Sequence, residues 1–439
     1  MPKLALSGGK PAVTVPPPLW PPITDEDVQA IAAAFRRVDV SFPAGGGAQG
    51  DFEREFAAHL GRRYCIGMNA GTAALATGVH LSGAGPGDEV IVSPYSWGAT
   101  MGCILHNNAI PVYADIDPNT FTIDPKSIAA KVTERTKAIV VVHIFGHPCD
   151  MDPIMEIARA HDLLVVEDCA QAAGTLYKGR PCGTLGHVAA YSFHAGKNYG
   201  AGEGGAALFD DEDLYQRALL YACHITRHEE LRGTPLYKYS DSLIPNTRMH
   251  GLAAVMALGQ LKYLDERTVI RNENTERFTT ALSDLPGVEM PWIRPQTEPS
   301  FHLLPMKYKA DQLGGLPRTA FMAALNAEGV GVGAYVKTPI HLRPAHREHR
   351  FYGKGCPWDC PLGVGGYVYK EGDCPVAERR CAEEELDIYW SCAGRECSEW
   401  MDQVVAAFRK VVENADQIPH DAVDDGTAYE KAKSRVTEE

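Results

Sequence analysis

The chain has 439 residues, of which 45% are hydrophobic and 22% are charged, so it can bury a sizeable core and is typical of a globular protein rather than a disordered one. Its formal net charge of −14 argues against a nucleic-acid partner, because such proteins need a basic face to neutralise phosphates. No apolar stretch approaches the ~20 residues that cross a bilayer, and the start has too short an apolar run for a secretory signal, so we expect a cytoplasmic protein without a membrane partner.

The first 24 residues include the proline-rich stretch "GGKPAVTVPPPLWPPI", which predicts an extended arm that lies on another surface. Helical periodicity begins in "TDEDVQAIAAAF", where Thr24 is a candidate N-cap ahead of acidic residues in the first turn. A second helix is predicted in "GDFEREFAAHLG". The packed part of the chain is therefore expected to begin near residue 25.

From residue 66 onward, short β-branched runs alternate with helical segments. The predicted strands are residues 89–93, 110–116, 137–146, 163–170, 188–194 and 204–209. Several of these runs are apolar without alternation, as expected of strands buried on both faces, so the pattern predicts an α/β fold with a mostly parallel sheet wrapped by helices. Ligands bind beyond the carboxyl ends of the strands in such sheets, so functional residues are expected just after each run.

The C-terminal part of the chain predicts a second, smaller lobe. One long helix is expected over residues 250–285, followed by the run "FHLLPMKY" and a helix in "PRTAFMAALNAEG". We therefore divide the chain into an arm over residues 1–24, a large domain over 25–285, a small domain over 286–418 and a polar tail over 419–439, which we expect to be frayed.

The twelve cysteines are scattered along the chain, and a disulfide framework is not expected at this size. Cys356 and Cys360 in "CPWDC" stand near Cys374 and the histidines of "HLRPAHREHR". Their spacing does not match the paired-cysteine pattern of a zinc site. We therefore expect no bound metal.

A turn of small residues, Asn69 to Ala73, opens directly into a helical run. The N–H groups at a helix N-terminus form an anion site, and small residues let a phosphate approach closely. The turn could equally be an ordinary N-capped helix start. No P-loop lysine follows, so a nucleoside triphosphate is not indicated.

Two further residues stand at predicted strand ends. Asp168 ends the apolar part of "LLVVEDCAQAAG", and Lys197 stands before a glycine-rich turn in "YSFHAGKNYGAGEGGA". Taken singly, Asp168 could cap a turn and Lys197 could be a solvated surface residue. Together they suit pyridoxal phosphate, because a carboxylate keeps the pyridine nitrogen protonated and a lysine amine forms a Schiff base with the cofactor. Ser192 would add a hydroxyl donor for the phosphate.

Five motifs, in order along the chain, resemble those of the DegT/DnrJ/EryC1/StrS aminotransferases. They are "GTAAL", "DCAQAAG", "YSFHAGKNYGAGEGGA", "NTRM" and "CPVAERR". The resemblance implies a fold-type I enzyme, with a large α/β domain around a mostly parallel sheet of seven strands and a smaller α+β C-terminal domain. The cofactor it implies is pyridoxal phosphate, which alternates with pyridoxamine phosphate.

The resemblance also implies roles for individual residues. Lys197 matches the Schiff-base lysine, Asp168 matches the partner of the ring nitrogen, and Gln171 would contact the polar edge of the ring. Trp97 in "SPYSWGAT" matches an aromatic residue that stacks on the cofactor, although it could instead be a core tryptophan. Asn246 matches a residue that reaches the phosphate of the neighbouring subunit's cofactor, which implies a homodimer with its active site at the interface. The remaining phosphate contacts would come from Gly71, Thr72, Ala73 and Ser192.

Members of this family act on keto sugars and keto cyclitols. The C-terminal lobe looks most like the aminocyclitol-forming branch, so we expect an amino group to pass from glutamine or glutamate to a scyllo-inosose-like ketone with ping-pong kinetics. Thr247 and Gly251 stand where the family usually has tyrosine and glutamate, and "HAGK" replaces a commoner proline-threonine form before the lysine. The substrate chemistry near residue 250 can therefore differ from that of the best-known members.

Three alternatives stay open at this point. A dehydratase of the same family resembles this chain but has histidine in place of Lys197. An oxidase or lyase on the same fold would share the first chemical steps with an aminotransferase. A non-catalytic cofactor-binding module of a regulator would need a basic DNA-binding segment, which the acidic chain does not offer.

Overall fold

The computed structural model describes residues 2–240, 246–359 and 365–423. The strands, in chain order, are β1 (Tyr64–Met68), β2 (Glu89–Val92), β3 (Ile110–Tyr113), β4 (Thr136–Val142), β5 (Leu164–Asp168), β6 (Leu176–Tyr177), β7 (Arg180–Pro181), β8 (Val188–Ser192), β9 (Gly205–Phe209), β10 (Val288–Glu289), β11 (Thr297–Glu298), β12 (Leu303–Tyr308), β13 (Val332–Gly333) and β14 (Glu385–Tyr389). The α-helices are α1 (Asp25–Arg36), α2 (Gly47–Leu60), α3 (Gly71–Leu81), α4 (Gly98–His106), α5 (Pro125–Lys131), α6 (Met151–Ala160), α7 (Glu212–Ala222), α8 (Gly251–Leu261), α9 (Leu264–Ala281), α10 (Arg318–Ala327), α11 (Pro344–Arg347), α12 (Pro375–Arg379) and α13 (Ser398–Glu413).

The main sheet has seven strands in the order β1-β9-β8-β5-β4-β2-β3. The five strands from β8 to β3 run parallel, whereas β9 is antiparallel to both β8 and β1. This arrangement confirms the prediction of an α/β fold with a mostly parallel sheet. Val142, Asp168 and Ala190 are successive register partners across β4, β5 and β8, so the carboxyl ends of these strands lie side by side.

Both faces of the sheet are covered, which explains the uninterrupted apolar runs. In β4, Val140 and Val142 belong to one buried cluster whereas Ile139 and Val141 belong to another, because successive side chains of a strand point to opposite faces. Helices α3 and α4 contribute to the first cluster, and α2, α6 and α8 contribute to the second. The sheet is therefore a rigid middle layer whose strand ends can carry a site.

A second, antiparallel sheet has the order β10-β12-β14-β13. Strand β12 is buried along its whole length, and α10 and α13 pack against each other beside this sheet. A third small sheet joins β11, β6 and β7. The division of the chain at residues 24, 285 and 418 stays a prediction.

The prediction of a single long helix over residues 250–285 is wrong, because the chain forms α8 and α9 with a break between them. Tyr263 has φ −108° and ψ 0°, outside the helical range. Helix α8 packs on α1 and α2, whereas α9 packs on α13, so the break lets the two helices follow different neighbours. The helical periodicity of the sequence alone does not show that two parts of one apparent helix pack on different neighbouring helices.

The chain before α1 lies along the surface of the rest of the molecule. The main-chain N–H groups of Ala5 and Ala12 donate to the carboxylate of Glu328 over 2.8 and 2.9 Å. Thr24 then caps α1 in a capping box with Asp27, as the N-cap prediction required. The arm is therefore anchored before the first helix begins.

Two expectations fall partly outside the described residues. Cys360 lies outside them, whereas Cys356 is half-buried and Cys374 is buried. Residues 424–439 of the polar tail also lie outside them. In the part of the chain that the structure describes, none of the helices combines the length and apolar character needed to cross a membrane.

Candidate active site

A cavity of about 670 Å³ lies beyond the carboxyl ends of β4, β5 and β8. It is lined by seven of the nine residues expected in the site, namely Gly71, Thr72, Trp97, Asp168, Gln171, Ser192 and Lys197. Ala73 and Asn246 do not line it. The cavity therefore brings together residues that are separated by more than a hundred positions in the sequence.

The N-terminal end of α3 faces this cavity without a capping side chain. Its N-cap is Ala70, which makes no side-chain cap hydrogen bond, so the first N–H groups of the helix are available to an anion. Gly71 allows the close approach of β8, because a Cβ at this position would lie 2.7 Å from the Cβ of Ser192. Ala73 stands in the same first turn and is half-buried, and its side chain does not line the cavity.

Asp168, the last residue of β5, is buried at 4% exposure. Its carboxylate accepts the hydroxyl of Thr100 over 2.7 Å and the main-chain N–H of Ala170 over 3.1 Å. Thr100 in turn bonds Ser96 over 2.8 Å. Burial raises the pKa of Asp168, while these hydrogen bonds and the charge of Lys197 act in the opposite direction. A second cation nearby would therefore be strongly favoured.

Gln171 is fixed at both ends of its amide. Its Oε1 accepts the main-chain N–H of Phe145 over 2.6 Å, and its Nε2 donates to the hydroxyl of Tyr335 over 2.8 Å. Phe145 has φ 61°, a left-handed conformation that is strained for a residue with a bulky side chain. This conformation of Phe145 places its main-chain N–H group within hydrogen-bond distance of Gln171.

Trp97, directly before α4, is 64% exposed and lines the cavity, so it is not a core residue. Its ring lies nearly parallel to that of Tyr335, with centroids 6.3 Å apart and planes inclined by 28°. Two flat aromatic faces thus border the same space. Tyr335 was missed by the sequence analysis, because nothing in the "VGAYVK" run distinguishes a site tyrosine from a core one.

Lys197 lies in a turn that is fixed internally. Phe193 and Ala195 donate their N–H groups to the carbonyls of Gly204 and Gly202, each over 2.8 Å. Gly202 has φ 83°, which explains why a glycine is required at that position. The lysine itself is half-buried and lines the cavity.

The same turn is held from outside by residues far away in the sequence. The carbonyl of Gly196 accepts the hydroxyls of Tyr389 and Ser391, each over 3.1 Å. The indole N–H of Trp20 donates to the carbonyl of Lys197 over 2.8 Å. These tethers escaped the sequence analysis, because only the folded chain shows that β14 and the arm reach residues 196–197.

Asn246 is exposed and its chain segment passes beside the α3 turn. The next residue, Thr247, accepts the main-chain N–H of Asn69 over 2.7 Å. Gly251 begins α8, where a Cβ would lie 2.8 Å from the carbonyl carbon of Val40. The close passage of Val40 therefore explains why a glycine stands where the family usually has glutamate.

A buried cluster behind Asp168 contains His143, Glu167 and Cys169, with polar atoms within 4.8 Å of one another. Glu167 already accepts the ring of His143 over 3.0 Å and three main-chain N–H groups, those of Gly183, Leu185 and Gly186. His143 Nδ1 accepts the N–H of Cys149 over 3.0 Å. The Glu167 carboxylate and His143 Nδ1 already accept hydrogen bonds within the protein. The cluster therefore stabilises the ends of the neighbouring strands and is not suited to bind a metal.

The residues around the cavity fit pyridoxal phosphate. The start of α3 offers N–H groups that no side chain caps, which suits a phosphate. Asp168 provides a buried carboxylate for a protonated ring nitrogen, and Lys197 provides the amine. Trp97 and Tyr335 provide flat faces for an aromatic ring.

Comparisons with known proteins agree with this geometry. A family model of the DegT/DnrJ/EryC1/StrS aminotransferase family matches residues 25–358. The chain is 36% identical over 371 residues to the spore coat polysaccharide biosynthesis protein SpsC of Bacillus subtilis (strain 168), covering 83% of this chain and 90% of that protein. It is 33% identical over 339 residues to the L-glutamine:2-deoxy-scyllo-inosose aminotransferase of Streptoalloteichus tenebrarius, covering 74% of this chain and 78% of that protein.

Among solved structures, the aminotransferase from Psychrobacter cryohalolentis is similar with a TM-score of 0.80 at 30% sequence identity, covering 91% of this chain and all of that one. The family match spans well over half of the chain. This chain therefore belongs to the DegT/DnrJ/EryC1/StrS aminotransferase family, and it is a pyridoxal-phosphate-dependent aminotransferase, as its motifs indicated.

Proposed function

We propose that this enzyme transfers an amino group from glutamine or glutamate to a keto sugar or keto cyclitol, with a scyllo-inosose-like ketone as the favoured acceptor. The observation that carries the proposal is the meeting of Lys197, Asp168 and the uncapped start of α3 at one cavity. The similarity to an L-glutamine:2-deoxy-scyllo-inosose aminotransferase supports the choice of donor and acceptor class.

Each of these residues has a role that follows from its chemistry. Pyridoxal phosphate, when bound, supplies an electron sink and carries the amino group from donor to acceptor. Asp168 keeps the ring nitrogen protonated, and the amine of Lys197 takes the α-proton of the donor and returns it as general base and acid. Gly71, Thr72 and Ser192 hold the phosphate, and Ala73 contributes the next N–H of the helix.

The acceptor side of the cavity has the polarity that a polyhydroxylated ligand needs. Its lining includes His194, Glu203, His302, Tyr335 and Tyr389, which offer both donors and acceptors to hydroxyl groups. His194 and Glu203 are exposed, so they can exchange hydrogen bonds with water for hydrogen bonds with a substrate. This combination supports a sugar or cyclitol over an apolar ketone.

A donor assay on the holoenzyme tests the reaction. Glutamine or glutamate alone should bleach the absorbance of the bound cofactor and release one keto acid per site, because the first half-reaction needs no acceptor. Addition of scyllo-inosose or a keto sugar should then restore the absorbance and give an amine by mass spectrometry. An unchanged spectrum with a broad panel of amino acids, together with loss of the ketone without gain of nitrogen, would indicate a dehydratase, oxidase or lyase instead.

We also propose that the active unit is a homodimer. Asn246 is exposed and does not line the cavity of its own chain, which suits a residue that acts on a neighbouring subunit. Val28 and Phe35 on α1, with Val38 just after it, are 55%, 67% and 76% exposed. Large apolar side chains that are exposed on a helix and directly after it are typical of a surface that a second copy covers.

A further inference from the structure

Trp20 is the arm residue that makes closest contact with the site. It is 4% exposed, and it lines the cavity together with Pro17, Pro18 and Leu19. Its indole Nε1–H donates to the main-chain carbonyl of Lys197 over 2.8 Å. The residue that bears the reactive amine is thus bonded to a segment 177 positions earlier in the chain.

Two guanidinium groups hold the Trp20 ring in place. The Arg271 and Arg267 guanidinium carbons lie 5.1 and 5.6 Å from the centre of the ring, within the range of a cation–π contact. Arg271 is fully buried, and burial lowers its pKa to about 10, so it still carries its charge at neutral pH. Among the described residues it forms no ion pair with a carboxylate, so the ring of Trp20 is a main electrostatic partner.

Arg271 also connects Trp20 with Ser391, which bonds the turn around Lys197 from the other side of the chain. Its Nη2 donates to the carbonyl of Ser391 over 3.2 Å, and the one hydroxyl proton of Ser391 is shared between Asn198 Oδ1 at 2.9 Å and the carbonyl of Gly196 at 3.1 Å. Three consecutive residues, 196–198, are therefore each bonded from outside the turn. The bond to Lys197 itself comes from Trp20.

We propose that Trp20 is a positioning residue of the transamination, whose indole N–H fixes the main chain of Lys197 so that the amine stays aimed into the cavity. The inference rests on the proposed role of Lys197 as the cofactor-bearing residue. A lysine side chain has several rotatable bonds, so its amine reaches the α-proton efficiently only when its main chain is fixed. The tether therefore serves proton transfer rather than donor binding.

The test compares Trp20→Phe with Trp292→Phe in the holoenzyme. The first change removes the N–H but keeps an aromatic ring over the two arginines. Trp292 is a matched control for two reasons. Its ring also has an arginine near it, since the Arg294 guanidinium carbon lies 5.7 Å from the ring centre, and Trp292 does not line the cavity. We expect Trp20→Phe to lower the kcat of the donor half-reaction about threefold to tenfold, as for loss of one hydrogen bond, with the KM of the donor unchanged.

Amide hydrogen exchange gives a readout that does not depend on turnover. In Trp20→Phe, exchange should accelerate in peptides covering residues 194–203, whereas Trp292→Phe should match the wild type there. Equal kcat and equal exchange in Trp20→Phe and the wild type would overturn the proposal. So would an acceleration spread evenly over the molecule, because that result indicates general loosening.

A second variant tests the same proposal in case Trp20→Phe does not fold. Arg395 is exposed and donates to the carbonyl of Leu19 over 3.3 Å, so Arg395→Ala loosens the arm from its surface. We expect it to change kcat and exchange in the same direction by a smaller factor, and no change in either would contradict the tether. If the wild type itself fails the donor half-reaction, the proposed function fails, while exchange in the apoprotein still decides whether Trp20 holds the turn.

Discussion

The surroundings of Asp168 disfavour the charged form of its carboxyl group. The side chain is buried at the end of β5, and burial raises its pKa above the ordinary value for an aspartate. Within the described part of the chain, Thr100 and Ala170 each supply one hydrogen bond to the carboxylate. A protonated pyridine nitrogen would complete the set of partners, so the acid is suited to hold a cationic ring rather than a structural turn.

Replacement of Asp168 by asparagine should leave the enzyme folded but lower its turnover about a hundredfold, about 2.7 kcal/mol of lost transition-state stabilisation. An amide cannot keep the ring nitrogen protonated. Steady-state kinetics on the holoenzyme measure the effect. Asp152→Asn is a suitable control, because Asp152 is an exposed partner of Lys178. Near-normal turnover in a folded Asp168→Asn variant would show that the carboxylate has another role.

The same variant should show a pH-dependent stability difference in the apoprotein. The pKa of Asp168 is raised in the folded state, so ionisation opposes folding as pH rises above the unfolded pKa of about 3.9. The melting temperature of Asp168→Asn relative to the wild type should therefore be higher at pH 7.5 than at pH 4.5. A difference that grows toward low pH would mean that the carboxylate is stabilised, not opposed, by its site.

Lys197 should be the residue that holds the cofactor. We expect borohydride reduction of the holoenzyme to fix the pyridoxyl group on Lys197, as identified by peptide mass mapping, because this amine lines the cavity together with Asp168. Lys178, exposed and paired with Asp152, should stay unlabelled. A label on any other lysine would show that Lys197 is not the residue that binds the cofactor.

The elements that surround the site differ in how far the sequence reveals them. The strand ends were predictable, because buried parallel strands read as apolar runs and polar residues follow them. Two other features could not be predicted from the sequence. They are the helix break at Tyr263 and the contacts that Tyr335, Tyr389 and Trp20 make in the site. Such contacts depend on which distant elements become neighbours, and no local pattern records that choice.

The first turn of α3 gives the element-scale prediction. A Cβ at position 71 would lie 2.7 Å from Ser192 Cβ and 3.2 Å from the carbonyl of Tyr191, so Gly71→Ala must push the helix start away from β8. We expect pyridoxal phosphate to bind about tenfold more weakly, as for an overpacked position. Equilibrium dialysis measures the affinity.

Gly85→Ala is the matched control for that experiment, because a Cβ at Gly85 would meet no heavy atom within 4 Å. Its cofactor affinity should equal that of the wild type. If Gly71→Ala also binds the cofactor normally, the start of α3 does not hold the phosphate.

At the scale of the whole molecule, the cavity draws on both ends of the described chain, yet Asn246 stays outside it. If Asn246 acts across a dimer interface, two inactive variants should rescue each other. Lys197→Ala retains Asn246, and Asn246→Ala retains Lys197. Equal mixing and exchange of subunits should therefore make about one quarter of all sites complete.

We expect Asn246→Ala alone to bind its cofactor weakly, whereas Asn119→Ala, a change at another exposed asparagine, should not. Activity regained on mixing, followed against the separate variants, measures the rescue. Sedimentation should show a dimer at micromolar concentration. An active monomer, or mixtures no more active than their parts, would place Asn246 outside the site.

The bonds that hold the turn around Lys197 from outside also limit when the enzyme can first become active during its synthesis. Trp20 leaves the ribosome long before Lys197, but Tyr389 lies 193 residues after the Gly196 carbonyl to which it donates. A nascent chain thus carries Lys197 for almost two hundred residues of synthesis before Tyr389 and Ser391 are made. Productive binding of pyridoxal phosphate is therefore expected only after Tyr389 has packed against Gly196, which protects a shorter nascent chain from holding a reactive cofactor in an unshielded site.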